Sequence, residues 1–329
     1  MIYTKRIIKN LLPYGVVRKY FDSPEICTSD FPELFNEFGE KMLVMYLNEH
    51  IGRHYPYSLT LGRLPRRIVW DRNNYALKCQ MYGHRAIVFD RQPVREDIKQ
   101  FGIMIESESI RREEYDMVYK NCEKIKTLDG LFTYSERLLD KYENAKFSLA
   151  NGAWYGTKMH GGRLEADRYK HKTKLISAIA SLKSKTPLHI FRAENARELK
   201  RRGLADTMGA AVGAYFDKIS DAFDDYMYNV AIENDSNKYY FTEKILDCFA
   251  SMTIPIYYGA TEIGKFFNED GIIKIKEPTV DCVIKTIGQC TENDYMSRIN
   301  AIKDNYERVQ HYLSVDDYLT ENYWDLFTK

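Results

Sequence analysis

Glu233, Asn234, Thr242, Glu243 and Lys244 bring two carboxylates, an amide, a hydroxyl and a cation into one short stretch. It lies within residues 226–259, which read YMYNVAIENDSNKYYFTEKILDCFASMTIPIYYG. An apolar run at 228–232 ends in the polar pair Glu233-Asn234. Thr242-Glu243-Lys244 then opens an amphipathic segment, and a second apolar run, 254–258, ends at Gly259. In an open α/β sheet, ligands bind outside the carboxyl ends of the strands. A helix N-terminus placed there favours phosphate. Lys244 adds a full positive charge where a leaving diphosphate would need one. The layout is that of a site for a nucleotide-bound sugar.

Two apolar strands and a helix must position these groups. Ile245, Cys248, Phe249 and Met252 fall at i, i+3, i+4 and i+7, one buried helix face. Thr242 suits the N-cap, and Glu243 in the first turn is favoured by the macrodipole whether or not a ligand is bound. The dipole disfavours Lys244 there, so the lysine is either solvated or paired with an anion. Further strands are predicted at 67–70, 86–89, 102–105, 131–134, 175–180, 205–208, 229–232, 254–258 and 271–275. Most are short apolar runs, as parallel strands buried on both faces require. Helices are predicted at 111–126, 135–142 and 192–202, so the chain reads as α/β with parallel sheets. Residues 150–172 hold Asn151-Gly152, Gly156, Gly161-Gly162 and a charged run, and read as a linker plus surface loop. The expected division is a first domain over 1–160, a second over 161–300 and a helical tail over 301–329 that crosses back to the first domain.

Composition excludes several classes. With a net charge of +1, no global field draws the chain to nucleic acid. Cys27, Cys79, Cys122, Cys248, Cys282 and Cys290 are scattered without zinc spacing, which predicts free thiols in a reducing, cytoplasmic setting. No apolar run reaches the ~20 residues of a membrane span, and Lys5, Arg6 and Lys9 interrupt anything resembling a signal peptide. Residues 1–19 set Ile7, Ile8, Leu11 and Leu12 beside Lys5, Arg6, Lys9, Arg18 and Lys19 with no acid. This is either a helix packed on the body, or an anchor at the anionic inner face of a membrane; Pro13 and Gly15 break it early. No metal is implied, because no Asp-x-Asp motif is present.

Glu233-Asn234, then Tyr240-Phe241-Thr242-Glu243-Lys244-Ile245, then Ile254-Pro255-Ile256-Tyr257-Tyr258-Gly259 resembles the signature of the bacterial α1,3/4-fucosyltransferases, glycosyltransferase family ten. The resemblance is specific over roughly 172–275. It implies a GT-B fold, two Rossmann-like domains with the site in the cleft between them, and a GDP-L-fucose donor with no cofactor required. By this resemblance Lys244 meets the diphosphate and Glu243 the ribose hydroxyls, Asn234 and Tyr240 line the nucleotide, and Glu233 with Thr242 shapes the donor site. Arg192, after His189-Ile190-Phe191, matches the second phosphate contact, although Leu182-Lys183 departs from the family's usual asparagine. Gly209, opening Gly209-Ala-Ala-Val-Gly213, is a phosphate-loop lookalike or a packing turn.

The general base should come from the first domain. Residues 101–106 read FGIMIE, a strand ending in Glu106, with Glu108 as the alternate. Both also fit as acids opening a charged helix with Glu113, Glu114 and Asp116. Trp70, Asp71, Arg72, Asn74 and His84 are candidates for acceptor binding; Trp70 fits equally as core, and Asp71–Arg72 as a surface pair. The resemblance implies inverting transfer of fucose to an oligosaccharide or polysaccharide hydroxyl in surface polysaccharide or lipopolysaccharide synthesis. The rivals are another GDP-sugar on the same fold, a non-catalytic nucleotide- or carbohydrate-binding module, and a membrane-surface scaffold acting through residues 1–19.

Overall fold

Six parallel strands form the first sheet: β1 (Leu43–Asn48), β2 (Ile68–Asp71), β3 (Cys79–Gly83), β4 (Lys99–Met104), β5 (Gly130–Thr133) and β6 (Ala145–Phe147), in the order β2-β1-β3-β4-β5-β6. The computed structural model describes residues 36, 38–49 and 58–329, so residues 1–19 and Cys27 lie outside the described residues. Helices α1 (Ala86–Phe89), α2 (Arg112–Lys120), α3 (Cys122–Lys126) and α4 (Glu136–Lys141) connect these strands. The second sheet, also parallel, holds β7 (Lys174–Ile179), β8 (Asp206–Met208), β9 (Tyr226–Ile232), β10 (Ile254–Tyr258) and β11 (Ile273–Lys274), in the order β11-β10-β9-β7-β8. The helices that follow β7 in the chain are α5 (Pro187–Arg202), α6 (Glu243–Ala250), α7 (Val280–Ile287), α8 (Glu292–Ser297), α9 (Ile299–Val309) and α10 (Val315–Thr328).

Every residue of β9 is buried, as a central parallel strand covered on both faces demands. Ile245, Cys248 and Phe249 are each at most 2% exposed, so the apolar face of α6 seats as its spacing predicts up to Phe249; the helix ends at Ala250, and Met252, though buried, lies past it at a φ of 58° and off that face. The two sheets share one apolar cluster, running from Met45 and Phe132 through Phe223, Phe241 and Phe249 to Phe327. The last helix, α10, returns to the first sheet. Its Asp316 carboxylate receives Ser58 Oγ, the Leu59 N–H and the Trp70 indole N–H, and Phe327 packs against Phe101 and Phe132.

The structure corrects the strand predicted at 86–89. Ala86-Ile-Val-Phe89 is one helical turn, and the strand is the preceding β3. A four-residue apolar run does not separate a strand from a buried helix by period alone. Its neighbour β3 carries Gln80, buried because its amide donates to the Tyr75 and Leu77 carbonyls. A glycine ends β3 for a steric reason: a Cβ on Gly83 would stand 2.4 Å from Glu49 Cβ. The helix predicted over 111–126 is broken at Asn121, whose φ/ψ of −94°/54° leaves the helical region.

Candidate active site

In the second sheet the strand order reverses between β7 and β9, which places a ligand crevice at their carboxyl ends. A cavity of about 200 Å³ opens there, lined by Arg192, Asn234, Glu243, Lys244, Asp247 and Trp154 among others.

One wall is α5. Thr186 caps it by accepting the His189 N–H, Pro187 occupies its first turn, and Gly203 ends it with a φ of 65°. Arg192 lies on its inner face, 9% exposed. One guanidinium nitrogen donates to the Ile232 carbonyl at 2.6 Å, and two reach Asn234 Oδ1 at 3.1 and 3.2 Å. Arg192 is thus pinned to the end of β9. Burial lowers its pKa, but a guanidinium keeps its charge.

The other wall is α6. Thr242 caps it by accepting the Lys244 N–H. Glu233, fully buried, receives the Thr242 N–H at 2.8 Å and the Thr242 hydroxyl at 2.7 Å. The Lys244 ammonium lies 2.9 Å from Glu243 Oε1 and 3.4 Å from Glu233 Oε2, and donates to Thr242 Oγ1 at 3.0 Å. Burial works against the Lys244 charge, yet Glu243 and Glu233 outweigh it and its pKa is raised. Burial pushes the Glu243 carboxyl up, but Lys244 and the hydrogen bonds from Lys244 and Asn151 prevail and hold it low. Burial raises Glu233 against the pull of Lys244. Lys244 is therefore charged in the first turn of a helix, held there by two acids.

One turn on, Asp247 is 1% exposed and burial pushes its carboxyl up to about 8. Its Oδ1 accepts the backbone N–H groups of Trp154 and Tyr155 at 2.7 and 2.8 Å. Asn151 donates to Glu243 Oε2 at 2.8 Å. The segment joining the two sheets is thus fastened to α6 at two points. None of Asn151, Trp154 or Asp247 is among the site residues that the sequence singles out; the signal for Asp247 is an acid four residues after Glu243 on a largely buried helix.

Glu106 follows β4, outside the cavity lining. Its backbone carbonyl receives the hydroxyls of Tyr115 and Tyr134 at 2.9 and 3.0 Å, and its N–H, with that of Ile105, points to His84 Nε2. Among the described residues, the one hydrogen bond its carboxylate receives is from the adjacent Ser107 N–H. Glu108 is occupied: Oε1 pairs with Arg137 Nε at 2.6 Å and Oε2 accepts the Ser135 hydroxyl. Tyr240, 2% exposed, sits between the two sides; burial, then Glu233, Glu106 and Glu243, push its phenol well above the usual range.

Trp70, Asp71, Arg72, Asn74 and His84 lie outside the cavity lining. Trp70 is 2% exposed and bonded to Asp316, so it packs beneath α10 instead of facing an acceptor. Asp71 is buried, its carboxylate receiving the Asn73 and Asn74 N–H groups of the following turn. His84 is 2% exposed and, at a φ of 54°, holds the end of β4. Arg72 pairs with Glu49 at 2.7 Å, and Asn74 accepts the Ala76 N–H; both remain partly exposed. Gly209, with a φ of 102°, lies where a Cβ would meet the Ala180 carbonyl at 2.3 Å. It is a packing turn outside the cavity lining. Among the described residues no group of three or more His, Cys, Asp or Glu could hold a metal ion, and no helix is long and apolar enough to cross a membrane.

Two all-parallel α/β sheets with a pocket at a switch point define the GT-B class of glycosyltransferase fold. A crystal structure of an α1,3-fucosyltransferase with GDP-fucose superposes with a TM-score of 0.52 at 15% identity, covering 88% of this chain and 91% of that one. One with GDP gives 0.50 at 16%, covering 83% and 90%. A mutant of S. aureus TarM, in complex with fondaparinux, α-GlcNAc-glycerol and UDP, gives 0.51 at 13%, covering 76% and 55%. These likenesses show the fold. Residues 169–280 match the family model described as "Glycosyltransferase family 10 (fucosyltransferase) C-term", a stretch that holds the second sheet with α5 and α6. The α-(1,3)-fucosyltransferase FucT of Helicobacter pylori is 38% identical over 52 residues, which span 16% of this chain and 11% of that relative.

Proposed function

We propose that the chain is an inverting fucosyltransferase moving L-fucose from GDP-fucose to a glycan hydroxyl in surface polysaccharide or lipopolysaccharide synthesis. The observation that carries this reading is the convergence of Arg192 and Lys244, from two capped helices, on the switch-point cavity of a family 10 module. Two structures of like fold hold GDP and GDP-fucose, which supports the choice of donor.

In this mechanism the acceptor hydroxyl attacks the anomeric carbon from the side of the first sheet. Glu106, whose carboxylate is less engaged than that of Glu108, takes the proton. The bond to the diphosphate breaks as the new bond forms on the opposite face, which inverts the centre. The sugar passes through an oxocarbenium-like state, while Arg192 and Lys244 stabilise charge on departing GDP. Thermal shift with GDP, UDP, CMP and ADP, followed by transfer assays with GDP-fucose, tests the proposal. Selective stabilisation by GDP and turnover of GDP-fucose are expected. Equal response to all nucleotides, or binding without turnover on any glycan, would overturn it.

A further inference from the structure

His189 lines the same cavity as Arg192 and Lys244, from the first turn of α5, and is 1% exposed. Thr186 Oγ1 receives its backbone N–H at 3.2 Å and lies 3.1 Å from its ring Nδ1. The opposite ring nitrogen, Nε2, is buried with no hydrogen-bond partner among the described residues. A buried polar atom left unpaired is a standing cost, and such atoms are the ones ligands satisfy. Burial, then Arg192, Lys244, Lys183 and Lys185, hold the ring's pKa down to about 4, so the imidazole is neutral near pH 7 and adds direction rather than charge to an anion site at a helix N-terminus.

We propose that His189 is a further donor-site residue: its Nε2–H donates to a non-bridging oxygen of the nucleotide's diphosphate, while the Thr186 hydroxyl donates to Nδ1 and fixes that tautomer. The nucleotide's identity rests on the fucosyl-transfer reading; the diphosphate contact does not.

The chain's seven histidines make ring tautomers readable by long-range ¹⁵N–¹H correlation on ¹⁵N-histidine-labelled protein, with His189 assigned by its absence in His189→Gln. The Nε2–H form is expected, with Nε2 shifting on addition of GDP. His189→Leu should weaken GDP binding about tenfold, and His189→Gln, which keeps an N–H donor, should recover part of that loss. An Nδ1–H tautomer, a ring unmoved by saturating GDP, or wild-type GDP affinity in His189→Leu would overturn the assignment while leaving the donor reading intact. The same shift with UDP or ADP in place of GDP would support His189 and overturn the donor reading. If His189→Leu fails to fold, the wild-type titration and His189→Gln decide.

Discussion

Tyr134, just past β5, and Tyr240, just before α6, pack ring against ring with centroids 4.9 Å apart. The Tyr134 hydroxyl also holds the Glu106 carbonyl. One aromatic contact thus connects the two sheets between the proposed base and the donor helix. Tyr240→Ala should destabilise the protein by about 3 kcal/mol and reduce transfer, whereas Tyr240→Phe keeps the stack and should match wild type in a urea titration.

Lys244→Ala removes the cation that faces Glu233 and Glu243. Transfer should fall on the order of 10²–10³-fold while the circular dichroism spectrum is retained. The loss should also change the pH response. Glu233 is already raised by burial and would rise further, so the folded variant binds more protons than the unfolded chain. Its stability should therefore fall more steeply than that of wild type as pH increases above the ordinary carboxylate range. Near-normal turnover would remove Lys244 from the diphosphate site.

Glu106→Gln should bind GDP as wild type does and lose transfer by on the order of 10²–10⁴-fold. Glu108→Gln breaks the pair with Arg137 and should lower the melting temperature with far less effect on turnover. The reverse pattern, measured as kcat beside GDP affinity, would move the base two residues along the chain.

Asp247 gives a second pH signature. Its carboxyl, pushed by burial up to about 8, is neutral in the fold where the unfolded chain would be ionised. Its stabilising share is complete below the unfolded pKa, ~4, and is lost as pH rises toward 8. Asp247→Asn keeps the acceptor for the Trp154 and Tyr155 N–H groups. Between pH 5.5 and 7.5, wild type should lose up to roughly 1 kcal/mol per pH unit more than the variant in denaturant titrations.

The pocket is legible where its chemistry is contiguous in sequence. Glu233, Thr242 and Lys244 sit between two apolar strands, and β10 spans the very residues its apolar run marks. Arg192 can be read from the sequence, but His189 lies ahead of the helix expected at 192–202, and only the start of α5 at Pro187 sets it on the same wall. The role of Trp70 is hidden locally: its partner, Asp316, lies 246 residues away. β3 is missed for a different reason: a buried glutamine, Gln80, interrupts the apolar signal that marks its neighbour β4.

The return of α10 has a consequence for synthesis. Phe101 and Phe132 are made early, but the Phe327 that covers them is made near the end of the sequence. Between β6, ending at Phe147, and α10, starting at Val315, a ribosome moving at roughly 5–20 residues per second takes on the order of ten to thirty seconds. During that interval the first sheet waits with an uncovered aromatic face, so the lobe made first is the lobe finished last. Nascent chains arrested before Val315 should be cut by protease near that sheet, and chains carried past Lys329 on a linker should resist.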